Sequence, residues 1–99
     1  MNTVRFVVKL QNSQMEVSYV MFDIALLGAP VPQTGDVICF GEYHLVVRDR
    51  RYQMATQVEP HTITLHAGIT RRSPKDTVNR ESLVRELEDF PLVSRISIK

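Results

Sequence analysis

Hydrophobic and polar positions alternate through most of this chain, which is the signature of half-buried strands. Residues 3–10 and 15–22 both alternate, with Gln-Asn-Ser-Gln between them. An antiparallel pairing across that loop sets Leu10 against Met15, Val8 against Val17, Phe6 against Tyr19 and Val4 against Met21. All four pairs then share one apolar face. The other face pairs Lys9 with Glu16, Val7 with Ser18 and Arg5 with Val20, so a cross-strand ion pair is expected there. The next stretch, Asp-Ile-Ala-Leu-Leu-Gly-Ala-Pro-Val-Pro, allows a helical turn at 23–27. Its prolines at 30 and 32 exclude a central strand. A turn is expected at Gln33-Thr34-Gly35-Asp36.

Residues 36–40 and 43–53 predict a second hairpin, closed by Gly41-Glu42 in a type II′ turn because glycine occupies the first central position. Its cross-strand pairs are Phe40/Tyr43, Cys39/His44, Ile38/Leu45 and Val37/Val46. Ile38, Phe40, Tyr43, Leu45 and Val47 form the core face. Cys39, His44, Val37, Val46 and, further along, Arg48 lie on the other. Residues 61–69 alternate again, with Ile63, Leu65, Ala67 and Ile69 on one side. Ser73-Pro74 suits a capped turn.

From Asn79 the period changes to that of a helix. Asn79 is the expected N-cap, Glu81 favours the positive helix end, and Leu83, Val84, Leu87 and Phe90 make an apolar stripe. Pro91 ends the helix, giving a span of about 79–90. Residues 92–98 return to alternation, with Leu92, Ile96 and Ile98 on one side. The chain therefore predicts an α+β, mostly β fold: a small antiparallel barrel or rolled sheet of about six strands with one C-terminal helix. The helix plugs one end or covers one face.

Composition narrows this picture. The 99 residues suit a single domain spanning 1–99. A formal net charge of +1 argues against nucleic-acid binding through bulk charge, and leaves local clusters open. One cysteine excludes an internal disulfide and fits a reducing compartment. The N-terminus lacks the continuous apolar core of a signal peptide, and no run approaches membrane-span length. The expected location is cytoplasmic, with no membrane partner.

Pro32 to Val47, "PQTGDVICFGEYHLVV", has a Pro-x-x-Gly-Asp-hydrophobic lead-in, a tight turn and a Tyr-x-x-Val-Val return. This segment resembles small SH3-like β-barrel proteins of phages and mobile elements. The resemblance is confined to residues 32–47 and implies a barrel-like fold. It carries over no site residues, since the chain has no tryptophan and no run of exposed aromatics.

Four features bear on chemistry. Cys39 and His44 are cross-strand neighbours, so a thiol and a base share a face, but no third group orients the base. The expectation is a half-buried cysteine packed beside a histidine. His61 and His66 point to opposite faces of one strand, and the spacings lack a zinc pattern, so no metal or cofactor is implied. Arg48, Arg50, Arg51 and Tyr52 form one basic cluster; Arg71, Arg72 and Lys75 form another. Merged, they would make a patch for an acidic protein surface or for phosphates. The helix sets Glu81, Glu86, Glu88 and Asp89 opposite its apolar stripe, interrupted by Arg80 and Arg85.

The reading that follows is a small non-enzymatic protein-binding module that occupies a partner's surface. Its concrete version is a phage or mobile-element inhibitor of a host defence complex. An unpaired edge strand also permits homo-oligomers by strand-edge pairing. The alternatives are a nucleic-acid-binding module using the arginine clusters and a Cys/His-based enzyme or ligand-binder.

Overall fold

The computed structural model describes residues 3–11, 16–41, 43–57, 62–71 and 80–99. The elements run β1 (Thr3–Gln11), β2 (Val17–Ala25), β3 (Val37–Phe40), β4 (Tyr43–Gln53), β5 (Thr62–Arg71), α1 (Arg80–Leu87) and β6 (Val93–Ile98). The six strands form one sheet in the order β3-β4-β5-β1-β2-β6. Neighbours are antiparallel except β1 and β5, which are parallel. The sheet curls into a half-barrel with the short helix α1, the α+β, mostly β architecture that the alternation predicts.

The curl is visible in the aromatic core. Phe22 on β2 and Phe40 on β3 meet edge-on at 5.6 Å between ring centroids. Four strand steps separate β2 from β3 in the sheet order, which would be about 19 Å if the sheet were flat. Phe6 stacks on Phe22 at 5.3 Å, and Phe40 meets Phe90 edge-on at 5.4 Å. This row of rings ties β1, β2 and β3 to the segment just after α1. Leu83 and Leu87 of the helix are fully buried, with Val84 and Phe90 packed beside them.

The β3–β4 hairpin has all four expected pairs, Phe40/Tyr43 through Val37/Val46. Gly41 has φ +62°, as a two-residue turn with glycine first demands. Residue 42, whose conformation separates type I′ from type II′, lies outside the described residues, as do Ser73-Pro74 and the Asn79 cap. The helix ends as its last amides tighten. Glu88 donates four residues back to Val84, whereas Asp89 and Phe90 reach only three back, to Glu86 and Leu87.

The first hairpin corrects the expected register by three residues. Phe6 faces Phe22 rather than Tyr19, Val8 faces Val20, and Val4 faces Ile24. An odd shift turns β2 over, so Val20 and Phe22 are buried while Val17 and Tyr19 are exposed. Both faces of residues 15–24 carry apolar side chains, and alternation alone does not choose between them. The choice falls to the face that stacks Phe22 on Phe6 and leaves Tyr19 exposed. Strand β2 accordingly continues to Ala25 in place of the expected helical turn at 23–27. It ends where Leu27 and Gly28 take positive φ and Ala29 N–H donates to the Leu26 carbonyl. The cross-strand ion pair exists with other partners. Lys9 faces Tyr19, and Arg5 Nε donates to Asp23 Oδ1 at 3.1 Å.

β6 is also corrected. Arg95 has φ +54°, and the β2–β6 register shifts between Met21 and Asp23. The extra residue turns Val93, opposite Ile24, onto the core side together with Ile96, while Leu92 is exposed.

Candidate functional site

β4 outruns its neighbour. β3 covers only Tyr43 to Val46. The next residue, Val47, is held by the expected turn at 33–36: Gly35 N–H donates to the Val47 carbonyl at 2.8 Å, and Val47 N–H to the Asp36 carbonyl at 2.9 Å. Gly35 has φ +96°, Asp36 N–H donates to the Gln33 carbonyl, and the Asp36 carboxylate accepts from Gln33 N–H. Arg48 is then a bulge, since Val47 pairs with Ala67 but Asp49 with His66. Its guanidinium lies across Gly68, where a side chain would collide with it. From Asp49 to Gln53 the strand pairs with His66 to Thr62 of β5. Among the described residues no strand lies on its other side.

This open edge is basic and partly apolar. Arg50 and Tyr52 share a face with Leu65 and Ile63, and Asp49 and Arg51 share the opposite face with His66 and Thr64. Tyr52 is 57% exposed and Met54 71%. Arg51 Nε donates to Asp49 Oδ2 at 2.8 Å. That hydrogen bond holds the Asp49 carboxyl below its ordinary value, helped by the charges of Arg51 and His66. The side chains of Arg48 and Arg50 have no ion-pair or hydrogen-bond partner among the described residues. By linkage, a depressed carboxyl adds stability above its ordinary value and loses it as pH falls through its value in the folded protein. We expect NMR titration to place Asp49 below an ordinary aspartate, and Arg51→Ala to raise it toward normal. An unchanged Asp49 titration in that variant would rule out the pairing.

The expected basic residues do not all gather. The Arg71 backbone pairs with His44, at the hairpin end of β5, whereas Arg51 pairs with Thr64. Seven residues of strand separate these positions, about 23 Å. Arg72, Lys75 and His61 lie outside the described residues. Alternation did reveal the Arg48–Tyr52 cluster. It did not reveal that β3 is too short to cover it, or that Met54 stands exposed beyond it.

Cys39 and His44 are directly opposed on β3 and β4. Cys39 is exposed, not half-buried as expected, because β3 is an edge strand and the convex face beside it is uncovered. Cys39→Ser should therefore change stability by no more than about 0.5 kcal/mol; a larger loss on thermal denaturation would mean that the thiol is packed. Among the described residues no three His, Cys, Asp or Glu side chains gather as a metal site. An open cleft of about 260 Å³ separates the hairpin from the helix, lined by Tyr43, Ser82, Arg85, Glu86 and Asp89. Only the fold brings these residues together.

No protein-family model, curated protein or solved structure matches this chain. No helix among the described residues is long and apolar enough to cross a membrane.

Proposed function

We propose that this chain is a non-enzymatic protein-binding module that works by occupying a partner's surface. One observation supports this above others. The distal half of β4, beside which no further strand lies among the described residues, displays Arg48, Arg50 and the exposed ring of Tyr52, with the exposed Met54 just beyond it. Arginine, tyrosine and methionine are enriched in protein interfaces. The resemblance of residues 32–47 to phage and mobile-element proteins supports a concrete form, an inhibitor of a host defence complex.

A photo-crosslinking residue in place of Tyr52 tests the reading in lysate of the cell that makes the protein. The expected result is a protein adduct that survives nuclease treatment and is not formed from the same residue placed at Ser94 on β6. Adducts only to nucleic acid, or none from position 52, would reject it.

A further inference from the structure

We propose that the convex face of the sheet binds an acidic, flexible segment of a partner protein, which lies across the strands on a row formed by Arg48, Lys9 and Tyr19. The proposal rests on the protein-binding reading above and specifies the face and the partner's chemistry.

Sheet register builds the row. Val46 pairs with Gly68 on β5, and Arg48 lays its guanidinium over that glycine. Val8 pairs with Ala67, so Lys9 comes level with Gly68 on the neighbouring strand. Lys9 pairs in turn with Tyr19, and Tyr19 exchanges both backbone hydrogen bonds with Lys99 at 2.8 Å. Phe6 and Val8 are buried in the core, so Lys9 and its neighbours across the sheet stand on the convex side. Arg48, Lys9 and Lys99 are exposed, and Tyr19 is 39% exposed.

Gly68 seats the arginine. Glycine inside a strand weakens it and often marks a close approach. Here the approaching group is the Arg48 guanidinium, which a Cβ at position 68 would displace from β5. The guanidinium therefore lies one strand step, about 5 Å, from the strand that carries Lys9. Folding gains nothing from that crowding, since like charges side by side on neighbouring strands destabilise a sheet.

Charge and shape select the occupant. Two carboxylates on this face are already engaged, Asp23 by Arg5 and Asp49 by Arg51. The side chains of Arg48, Lys9 and Lys99 have no ion-pair or hydrogen-bond partner among the described residues. Acidic side chains would meet these cations, and an apolar one would meet Tyr19 and the exposed Val17 two residues before it. A nucleic acid is a poorer match. The Asp49 carboxylate stands next to Arg48, and the half-buried Val7 and Met21 border the row where a phosphate chain needs cations. The row also runs around the curl of the sheet. A flat rigid surface touches only part of such an arc, whereas a flexible segment follows it. A second copy offers little, because Arg80 holds Glu81 on its helix and Arg85 lines one cleft with Glu86 and Asp89.

The test selects short random peptides, displayed on phage, for binding to the full chain. Enriched peptides are titrated against the parent, the Lys9→Glu/Arg48→Glu variant and Gly68→Ala, with each fold checked by circular dichroism. Amide chemical-shift perturbation maps their contacts on the parent. The expected result is enrichment in Asp and Glu, shifts centred on residues 9, 19, 48 and 68, and a loss of affinity of at least about tenfold in the double variant. Gly68→Ala keeps every charge and moves only the guanidinium, so a smaller loss there separates a placed row from net charge. No acidic enrichment, shifts centred elsewhere, or an unchanged affinity in either folded variant would overturn the proposal. So would tighter binding of oligothymidylate than of the peptides at the same salt, which would assign the face to nucleic acid. Self-association that the double variant abolishes would assign it to a second copy and overturn the proposal too. Should the double variant unfold, the shift map and Gly68→Ala still decide. If position 52 crosslinks to a protein while the row fails, the protein-binding reading stands alone. If crosslinking fails as well, both fall. Peptides seated on the row without an adduct from position 52 would keep this face and remove the end of β4 from the interface.

Discussion

Replacing Phe22 with alanine should destabilise the domain by about 3–5 kcal/mol, while Met21→Ala should cost about 1 kcal/mol or less. Phe22 is 1% exposed, stacks on Phe6 and meets the edge of Phe40, so its removal empties the middle of the aromatic row. The neighbouring rings come from two other strands of the sheet, β1 and β3, and cannot both move in to fill the space, which places the cost at the upper end of the large-to-small range. Met21 is half-buried on the convex face and loses far less. A domain of this size holds only about 5–15 kcal/mol in total. The Phe22 variant should therefore be close to unfolding at room temperature, and urea denaturation would read both costs directly. The pair of substitutions also tests the register. In the pairing that alternation alone suggests, Met21 points inward and Phe22 outward, and the order of the two costs reverses.

The second large effect is expected at the hairpin tip. Gly41→Val should lower stability by more than about 1 kcal/mol, because a residue with a side chain at φ +62° carries a left-handed penalty of about 1–2 kcal/mol. A Cβ there would also overlap the Glu86 carboxylate on α1. That carboxylate ends a flexible side chain and can swing aside, so the backbone term dominates. Two further variants separate the terms. Gly41→Asn should be milder, since asparagine tolerates this conformation better than a β-branched residue. Adding Glu86→Ala to Gly41→Val should recover only a minor part of the loss. An unchanged melting temperature for Gly41→Val would reject the turn, and full recovery through Glu86→Ala would move the cause from backbone to contact.

These two sites mark how far the chain can be read without its fold. The β3–β4 hairpin was legible down to each cross-strand pair. A two-residue turn with glycine first leaves one register, and only one face of the following strand is consistently apolar as far as Val47. The β1–β2 hairpin was legible as a hairpin but not in register. Its loop contains no residue that demands a particular backbone conformation, and both faces of β2 carry apolar side chains. The helix was legible from its stripe, but it ends at Leu87 rather than at the expected residue 90, because the last amides before Pro91 tighten to bonds three residues back. The β6 bulge was not, because nothing in Ser94-Arg95-Ile96 marks a left-handed residue.

The candidate site divides the same way. Local pattern sufficed to identify a basic, tyrosine-bearing strand end at 48–52, since residue type and strand parity are properties of the segment. Whether that end is covered depends on which strand lies beside it and how far that strand extends. The placement of β5 between the two hairpins, parallel to β1, was decided in the folded state. That placement sets Arg71 beside His44, far from Arg51. It also makes β4 the strand whose distal half has a single neighbouring strand among the described residues. Alternation is a short-range signal, written by each side chain's preference for one face of its own strand. Strand order, curl and edge coverage arise from contacts between residues distant in the chain, such as Phe22 with Phe40, and appear only when the sheet closes around α1.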